Sequence, residues 1–129
     1  MGKTLKKEIK HPEKIVETGS YSAGFLVDGW LYISGQGPLD LRTGQTVSGS
    51  IEEETHLTMS HIGKILERAG CSFDDVVKCT CHLARIEDFG RFDAVYAGFF
   101  PRAKPARTTV QSVLGGGIKV EIDAIARVP

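Results

Sequence analysis

The sequence has no excess of charge of either sign and no long apolar run. Sixteen Lys and Arg residues balance sixteen Asp and Glu residues in a chain of 129, so the formal net charge at pH 7 is zero. The basic residues are scattered, which argues against a surface that neutralises nucleic-acid phosphates. No segment reaches the roughly 20 apolar residues of a membrane span. The charged start, MGKTLKKEIKHPEK, lacks the apolar centre of a signal peptide. We therefore expect no membrane partner, and nucleic acid is disfavoured.

Cysteines are few, and the common metal and nucleotide motifs are missing. Three cysteines are an odd number without framework spacing, which favours a reducing compartment and a cytoplasmic location. Cys79 and Cys81 lie two apart on a predicted strand and point to the same face. No second pair completes a zinc site, so we interpret them as buried apolar residues. H-E-x-x-H, P-loop and dinucleotide motifs are also lacking. The sequence therefore predicts no metal site.

One long helix is well marked. Ser50 and Glu53 have the spacing of a capping box, and apolar residues recur at helical spacing from Ile51 to Ala69. Gly70 is typical of the position just after a helix. A second helix is predicted where aromatic residues recur in EDFGRFDAVYAGFF, and the prolines that follow end it.

Strands account for the rest of the pattern. FLVDGWLYIS contains two apolar runs around Asp28-Gly29, a strong hairpin signal. VVKCTCHLARI alternates, and TTVQSV and IKVEIDAIA predict two further strands that form a hairpin around LGGG. The predicted order is β-β, α, β, α, β-β. We therefore expect a single α+β domain over residues 1–129, with two helices packed on one face of a mixed sheet.

The predicted strands are apolar on both faces. Trp30 and Tyr32 alternate with Leu31 and Ile33, yet two helices can cover only one face of a sheet. The other face would be left without cover from its own chain. We therefore predict that a partner subunit lies on it.

Arg107, in KPARTTV, is the candidate for chemistry. It begins a predicted strand and could be an ordinary surface arginine whose alkyl stem packs at the strand end. Its planar fork also suits a carboxylate ligand. In the predicted hairpin, Glu121 would lie toward the same end, where it could activate a water or simply form a salt bridge with Arg107. The turn SGQG, around Gly35, could offer backbone N–H groups to an anion. These residues predict a carboxylate-binding site of unknown purpose.

Six motifs, in order, resemble the RidA/YjgF family of reactive-intermediate deaminases. They are GSYSAG, ISGQGPLDLRTGQ, AGCSFDDVVKCTCHL, EDFGRFDAVYAGFF, KPARTTV and VEIDAIA. The resemblance extends from about His11 to Ala126. It implies a chorismate-mutase-like fold and a homotrimer with a central barrel and clefts between subunits.

The resemblance also implies hydrolysis of 2-imino acids, such as 2-aminoacrylate/2-iminopropanoate and 2-iminobutanoate, to 2-oxo acids and ammonia, without a cofactor. Arg107 would then bind the substrate carboxylate, and Glu121 would activate the attacking water. Tyr21 would line the cleft, and Gly35 and Thr109 would supply backbone donors.

The chain departs from the family pattern at four positions. Ser20 replaces the usual Pro, Ala23 the usual Gln and Asp93 a frequent Asn, while Thr109 stands where many members have Cys.

Two other functions are alternatives to the deaminase. The first is a non-catalytic protein that binds or senses small carboxylates, which would need Arg107 but not Glu121. A ribonuclease or translation inhibitor, a role also attached to the family, is disfavoured by the balanced charge.

Overall fold

A six-stranded mixed sheet with two helices on one face forms the fold. The computed structural model describes residues 6–129, so residues 1–5 of the predicted domain lie outside the described residues. The helices are α1 (Ile51–Arg68) and α2 (Phe89–Ala97). The strands are β1 (Lys6–Ile9), β2 (Gly24–Val27), β3 (Trp30–Gln36), β4 (Val76–Leu83), β5 (Ala106–Gln111) and β6 (Val120–Arg127). Their order across the sheet is β1-β2-β3-β6-β4-β5. The predicted fold class is confirmed.

Local signals placed α1 and the first hairpin correctly. The Ser50 side chain accepts a hydrogen bond from the Glu53 N–H, and the Glu53 carboxylate accepts one from the Ser50 N–H. Gly70 follows α1 with a φ of +79°, a conformation that glycine adopts without steric cost. β2 and β3 pair as antiparallel strands, and the turn between them has positive φ at both Asp28 and Gly29. The sequence therefore specifies these elements through neighbouring residues.

The predicted hairpin between the last two strands is wrong. β5 pairs with β4 in parallel, and β6 pairs with β4 in the antiparallel direction. β4 therefore lies between them, and the glycines at 115–117 cross the end of β4 instead of closing a two-stranded turn. A glycine-rich connection is compatible with either arrangement, because its sequence does not record whether another strand inserts between its neighbours.

The structure adds β1, which the sequence interpretation lacked. β1 pairs with β2 at the sheet edge, but only Ile9 of its four residues is buried. Its sequence, KKEI, therefore has none of the apolar alternation by which a strand is recognised.

The helices and the sheet enclose one core, and the opposite sheet face is open. Cys79 and Cys81 are buried against the helices, as predicted. On the open face, Phe25, Trp30 and Tyr32 remain 37–46% exposed. Among the described residues, no helix is long and apolar enough to cross a bilayer. The open face therefore matches the predicted uncovered surface.

Candidate functional site

Arg107 lies in a groove between α2 and the edge strand β5. This Arg107 groove is lined by Asp93, Tyr96, Ala97, Lys104, Pro105 and Arg107. The Arg107 Nη1 donates to Asp93 Oδ1 at 2.6 Å, and only 22% of the Arg107 side chain is exposed. The bonding partner that the sequence interpretation offered for Arg107 was Glu121, whereas the structure gives Asp93.

Aromatic rings fix the position of the guanidinium. Its central carbon lies 4.8 Å from the ring centre of Tyr96, 5.3 Å from that of Phe89 and 5.6 Å from that of Phe92. These three residues and Asp93 occupy spacings of three, four and seven on α2, so one helix face presents them all. The faces of aromatic rings attract a cation. The guanidinium is therefore held before any ligand arrives.

Part of the guanidinium has no acceptor among the described residues. Within residues 6–129, Asp93 is the acceptor found for Arg107, and it receives a bond from Nη1 alone. A guanidinium carries five N–H donors in one plane. The remaining donors suit a carboxylate, the ligand that the sequence predicts for this side chain.

Glu121 lies in a different groove, on the open face of the sheet. This Glu121 groove is lined by Tyr21, Ile33, Ser34, Gly35, Glu121 and Asp123. A Cβ atom on Gly35 would stand 2.5 Å from Glu121 Oε2 and 3.0 Å from its Cδ, so a side chain there would displace the carboxylate. The backbone of β3 shifts register between Ile33 and Gln36. Gly35 therefore belongs to an irregular segment of β3 and not to the predicted turn. This segment lets the carboxylate approach the backbone closely.

The two grooves face opposite sides of one chain. Arg107 on β5 is paired in register with Cys79 on β4, and Cys79 is buried against the helices. Glu121 is level with His82, which alternates with the buried Cys81 and Leu83 and so belongs to the open face. β4 separates β5 from β6, and the β4 partners of Arg107 and Glu121 are three residues apart along that strand. The spacing between strands and the rise per residue then put the two Cα atoms about 14 Å apart. The prediction that a hairpin brings them together within one chain is therefore wrong.

Tyr21 lines the Glu121 groove, whereas Thr109 lies on the side of the sheet that carries Arg107. Tyr21 is on the loop before β2, where its hydroxyl shares a hydrogen bond with Thr18, and it lines the Glu121 groove together with Gly35. Thr109 is level with Cys81 and therefore shares the helix side of the sheet with Arg107. It lies on an edge strand, half of whose backbone donors and acceptors point away from the sheet.

The buried thiols and the Tyr96 phenol do not supply a nucleophile. Burial raises the pKa of Cys81 to about 12 and also raises the pKa of Cys79. Burial likewise raises the pKa of Tyr96. Because the thiolate is the reactive form of cysteine, both thiols are inert at neutral pH. No group of three or more potential metal ligands occurs in the part of the chain that the structure describes.

Sequence interpretation missed the partners of Arg107. In the sequence analysis Asp93 is only a departure from the family's frequent Asn, and the aromatic residues of α2 serve only to predict the helix. The shared helical spacing of Phe89, Asp93 and Tyr96 was a signal that could have grouped them. Nothing in the local sequence indicated that β5 would lie beside this face of α2.

Fold and grooves together define a small α+β domain that holds an arginine on one side of a sheet and a glutamate on the other. The family model described as Endoribonuclease L-PSP matches residues 11–128. The chain belongs to this family, which is also known as the RidA/YjgF family. The resemblance drawn from the six motifs is thus confirmed.

Known proteins resemble the chain over nearly its whole length. A 2-iminobutanoate/2-iminopropanoate deaminase of Rattus norvegicus is 39% identical over 127 residues, which cover 98% of this chain and 93% of the relative. The Rid-family protein YyfA of Yersinia pestis superposes with a TM-score of 0.90 at 34% identity, covering 96% of this chain and all of that one. E. coli TdcF, solved with bound serine, superposes with a TM-score of 0.86 at 29% identity, covering 94% and 98% of the two chains.

Proposed function

We propose that the protein hydrolyses 2-imino acids to 2-oxo acids and ammonia. One observation carries the proposal: the chain presents a caged arginine with free donors in one groove and a glutamate packed against glycine in another. Those are the two groups that the reaction requires, a cation for the substrate carboxylate and a base for water. The relative named as a 2-iminobutanoate/2-iminopropanoate deaminase supports the same assignment.

The two grooves meet, in this proposal, between subunits of a homotrimer. Arg107 and Glu121 face opposite sides of one chain, so a single subunit cannot bring both to one substrate. The exposed aromatic residues of the open face, Phe25, Trp30 and Tyr32, supply the apolar surface that a neighbouring subunit would bury. Arg107 of one subunit then approaches Glu121 of the next.

Each residue has a defined part in the reaction. Arg107 binds the substrate carboxylate through the donors that Asp93 leaves free. Glu121 accepts a proton from a water molecule as the water oxygen attacks the imine carbon. Glu121 then returns a proton to the substrate nitrogen as ammonia leaves. Tyr21 and Gly35 shape the wall around that water, and the Thr109 backbone N–H supplies a donor. The imine carbon is already electrophilic, so orientation and proton transfer account for the chemistry without a cofactor.

A non-catalytic binder of small carboxylates is the second candidate. The Arg107 groove is complete in one chain and does not need Glu121. The neighbour TdcF was solved with bound serine, a small amino acid with a carboxylate. A sensor or carrier would use the same arginine and make no use of the second groove.

A coupled assay separates the two candidates. An amino-acid oxidase or dehydratase generates 2-imino acids in place, and semicarbazide traps what remains. We expect the imine to disappear faster with the wild-type protein than by spontaneous hydrolysis. Glu121→Gln should lower the rate by about 10²–10⁴-fold, the usual contribution of a positioned acid–base group.

Glu87→Gln is the matched control for that assay. Glu87 is an exposed carboxylate that pairs with Arg85 outside both grooves, so its loss should leave the rate unchanged. A wild type that never exceeds the spontaneous rate on any small imino acid would favour the binder instead.

A further inference from the structure

Asp93 puts a second charge beside the arginine that the proposed function assigns to the substrate carboxylate, and the inference below rests on that assignment. The Arg107 groove pairs a positive and a negative group 2.6 Å apart. A simple anion would gain from Arg107 and lose to Asp93. We infer that Asp93 makes the groove selective for zwitterionic 2-imino and 2-amino acids over anions such as 2-oxo acids.

Asp93 is available to a ligand. Its side chain is 44% exposed, and in the described part of the chain one oxygen, Oδ1, receives the bond from Arg107. The other carboxylate oxygen is left for a donor on the ligand.

Among the described residues, Asp93 forms its ion pair with Arg107 and not with Lys104. Lys104 lines the same groove, but its Nζ donates to the carbonyl oxygens of Phe100 and Ala97, at 2.5 Å and 3.3 Å. The lysine therefore satisfies the carboxyl end of α2. Apart from Lys104, the groove offers a ligand one cation, Arg107, and one anion, Asp93, at neighbouring positions.

The charges of the substrate and product match this arrangement in different degrees. A protonated 2-imino acid bears a carboxylate and an iminium nitrogen on adjacent carbons, so it can pair with Arg107 and Asp93 together. Hydrolysis removes the nitrogen as ammonia and puts an oxygen from water in its place. The resulting 2-oxo acid retains the charge that Arg107 binds and loses the charge that Asp93 binds. Asp93 therefore favours substrate capture and product release.

L-alanine and L-lactate test the inference without any turnover. They share a carbon skeleton and a carboxylate, and they differ in an ammonium against a hydroxyl group. Titration followed by NMR should give the wild type a lower Kd for alanine than for lactate. In Asp93→Asn, the ratio of the two dissociation constants should shift toward lactate by about tenfold, the value of one partly exposed charged hydrogen bond.

Two further variants make the outcomes distinguishable. Asp74 is the matched control, because it is similarly exposed at 46% and pairs with another arginine, Arg102; Asp74→Asn should leave the ratio unchanged. Arg107→Lys should weaken both ligands, because a point charge does not reproduce the planar fork.

Each result has one meaning. An unchanged ratio in Asp93→Asn, with both ligands weakened in Arg107→Lys, would overturn the role of Asp93 and leave the proposed carboxylate site standing. Full retention of both ligands in Arg107→Lys would instead remove the carboxylate site itself. A wild type that binds lactate as well as alanine, or that binds no alanine, would also overturn the selectivity.

Discussion

The Arg107 groove and the Glu121 groove hold their charged side chains in opposite ways. Arg107 is surrounded by the rings of three aromatic residues and held by a carboxylate on the same helix face. Glu121 lies on an open sheet face against a glycine that leaves room for it. The first charge is fixed by many contacts, whereas the second depends on space.

That difference suits the two proposed roles. A group that binds a carboxylate gains from being held in one orientation before the ligand arrives, because less side-chain freedom is lost on binding. A group that accepts a proton and later returns it needs access to water and to the reacting atoms. The comparison predicts that disturbing one groove should spare the other, and the following predictions test that independence.

The largest effect should come from separating the grooves by separating the subunits. Light scattering of the wild type should give three times the 14.0 kDa of one chain. Tyr32→Asp puts a charge among the exposed aromatic residues of the open face, opposite Phe25, where burial against a neighbour would be costly. We expect a particle of one chain mass, imine hydrolysis at the spontaneous rate, and an Arg107 groove that still binds alanine.

The assembly prediction has a direct counter-result. A wild type of one chain mass that nevertheless hydrolyses imines would show that the two grooves need not meet. Circular dichroism of Tyr32→Asp should match the wild type, so that loss of activity is traced to assembly and not to unfolding.

A smaller effect should follow from filling the space beside Glu121. Gly35→Ala would bring a methyl group within 2.5 Å of Glu121 Oε2, so the carboxylate must move by about an ångström. A shift of that size can lower a rate by about 10²-fold. We expect that loss in imine hydrolysis, with alanine binding in the Arg107 groove unchanged.

Gly115→Ala is the control for the glycine substitution. A Cβ atom on Gly115 would meet nothing within 4 Å, so this variant should behave as the wild type does. Equal rates in Gly35→Ala and the wild type would mean that the position of the Glu121 carboxylate does not matter to catalysis.

The same contrast explains which parts of the site could be predicted from sequence. α1 was predictable because its cap, Ser50 with Glu53, and its apolar spacing are local. Arg107 and Glu121 could be singled out by residue type and family motif. Their separation could not be foreseen, because it depends on β4 inserting between β5 and β6. Strand order is set by contacts between distant segments, which a local pattern does not record.

The contact between Asp93 and Arg107 likewise could not be predicted from a local sequence pattern. Asp93 is fourteen residues from Arg107 in the chain, on a helix whose aromatic residues indicate only that a helix is present. The register of β4 with β5 and the packing of α2 over that edge bring the two together. Only the folded chain therefore reveals that the arginine has a carboxylate beside it.

The smallest predicted effect concerns two histidines beside the loop that carries Tyr21. His11 is almost fully buried, and its ring meets the edge of the His61 ring at a centroid distance of 5.2 Å. Its Nδ1 accepts a bond from the Glu13 N–H, so the proton of the neutral ring is on Nε2. Burial, together with the nearby His61, lowers the pKa of His11 to about 4. Burial also lowers the pKa of His61.

Acid should therefore loosen the Glu121 groove, which this loop helps to line, before it affects the Arg107 groove. In the unfolded chain both histidines take up protons near pH 6.5, whereas folded His11 resists protonation down to about pH 4. The free energy of unfolding should be highest above pH 6.5 and fall as the pH drops from there toward 4. At pH 5, His11 alone should cost about 1–2 kcal/mol, or about 5 °C in melting temperature. The exposed ion pair of Glu13 with Lys64 should contribute little to this pH dependence.

The variant His11→Asn tests this prediction. It keeps an acceptor for the Glu13 N–H and removes the titrating group, so the melting temperature of the variant should depend less on pH. Hydrogen exchange at pH 7 and pH 5 should show faster opening of residues 12–21 in the wild type, with α2 unaffected. A melting temperature that stays level between pH 7 and pH 5, or equal acceleration in α2, would contradict the independence of the two grooves.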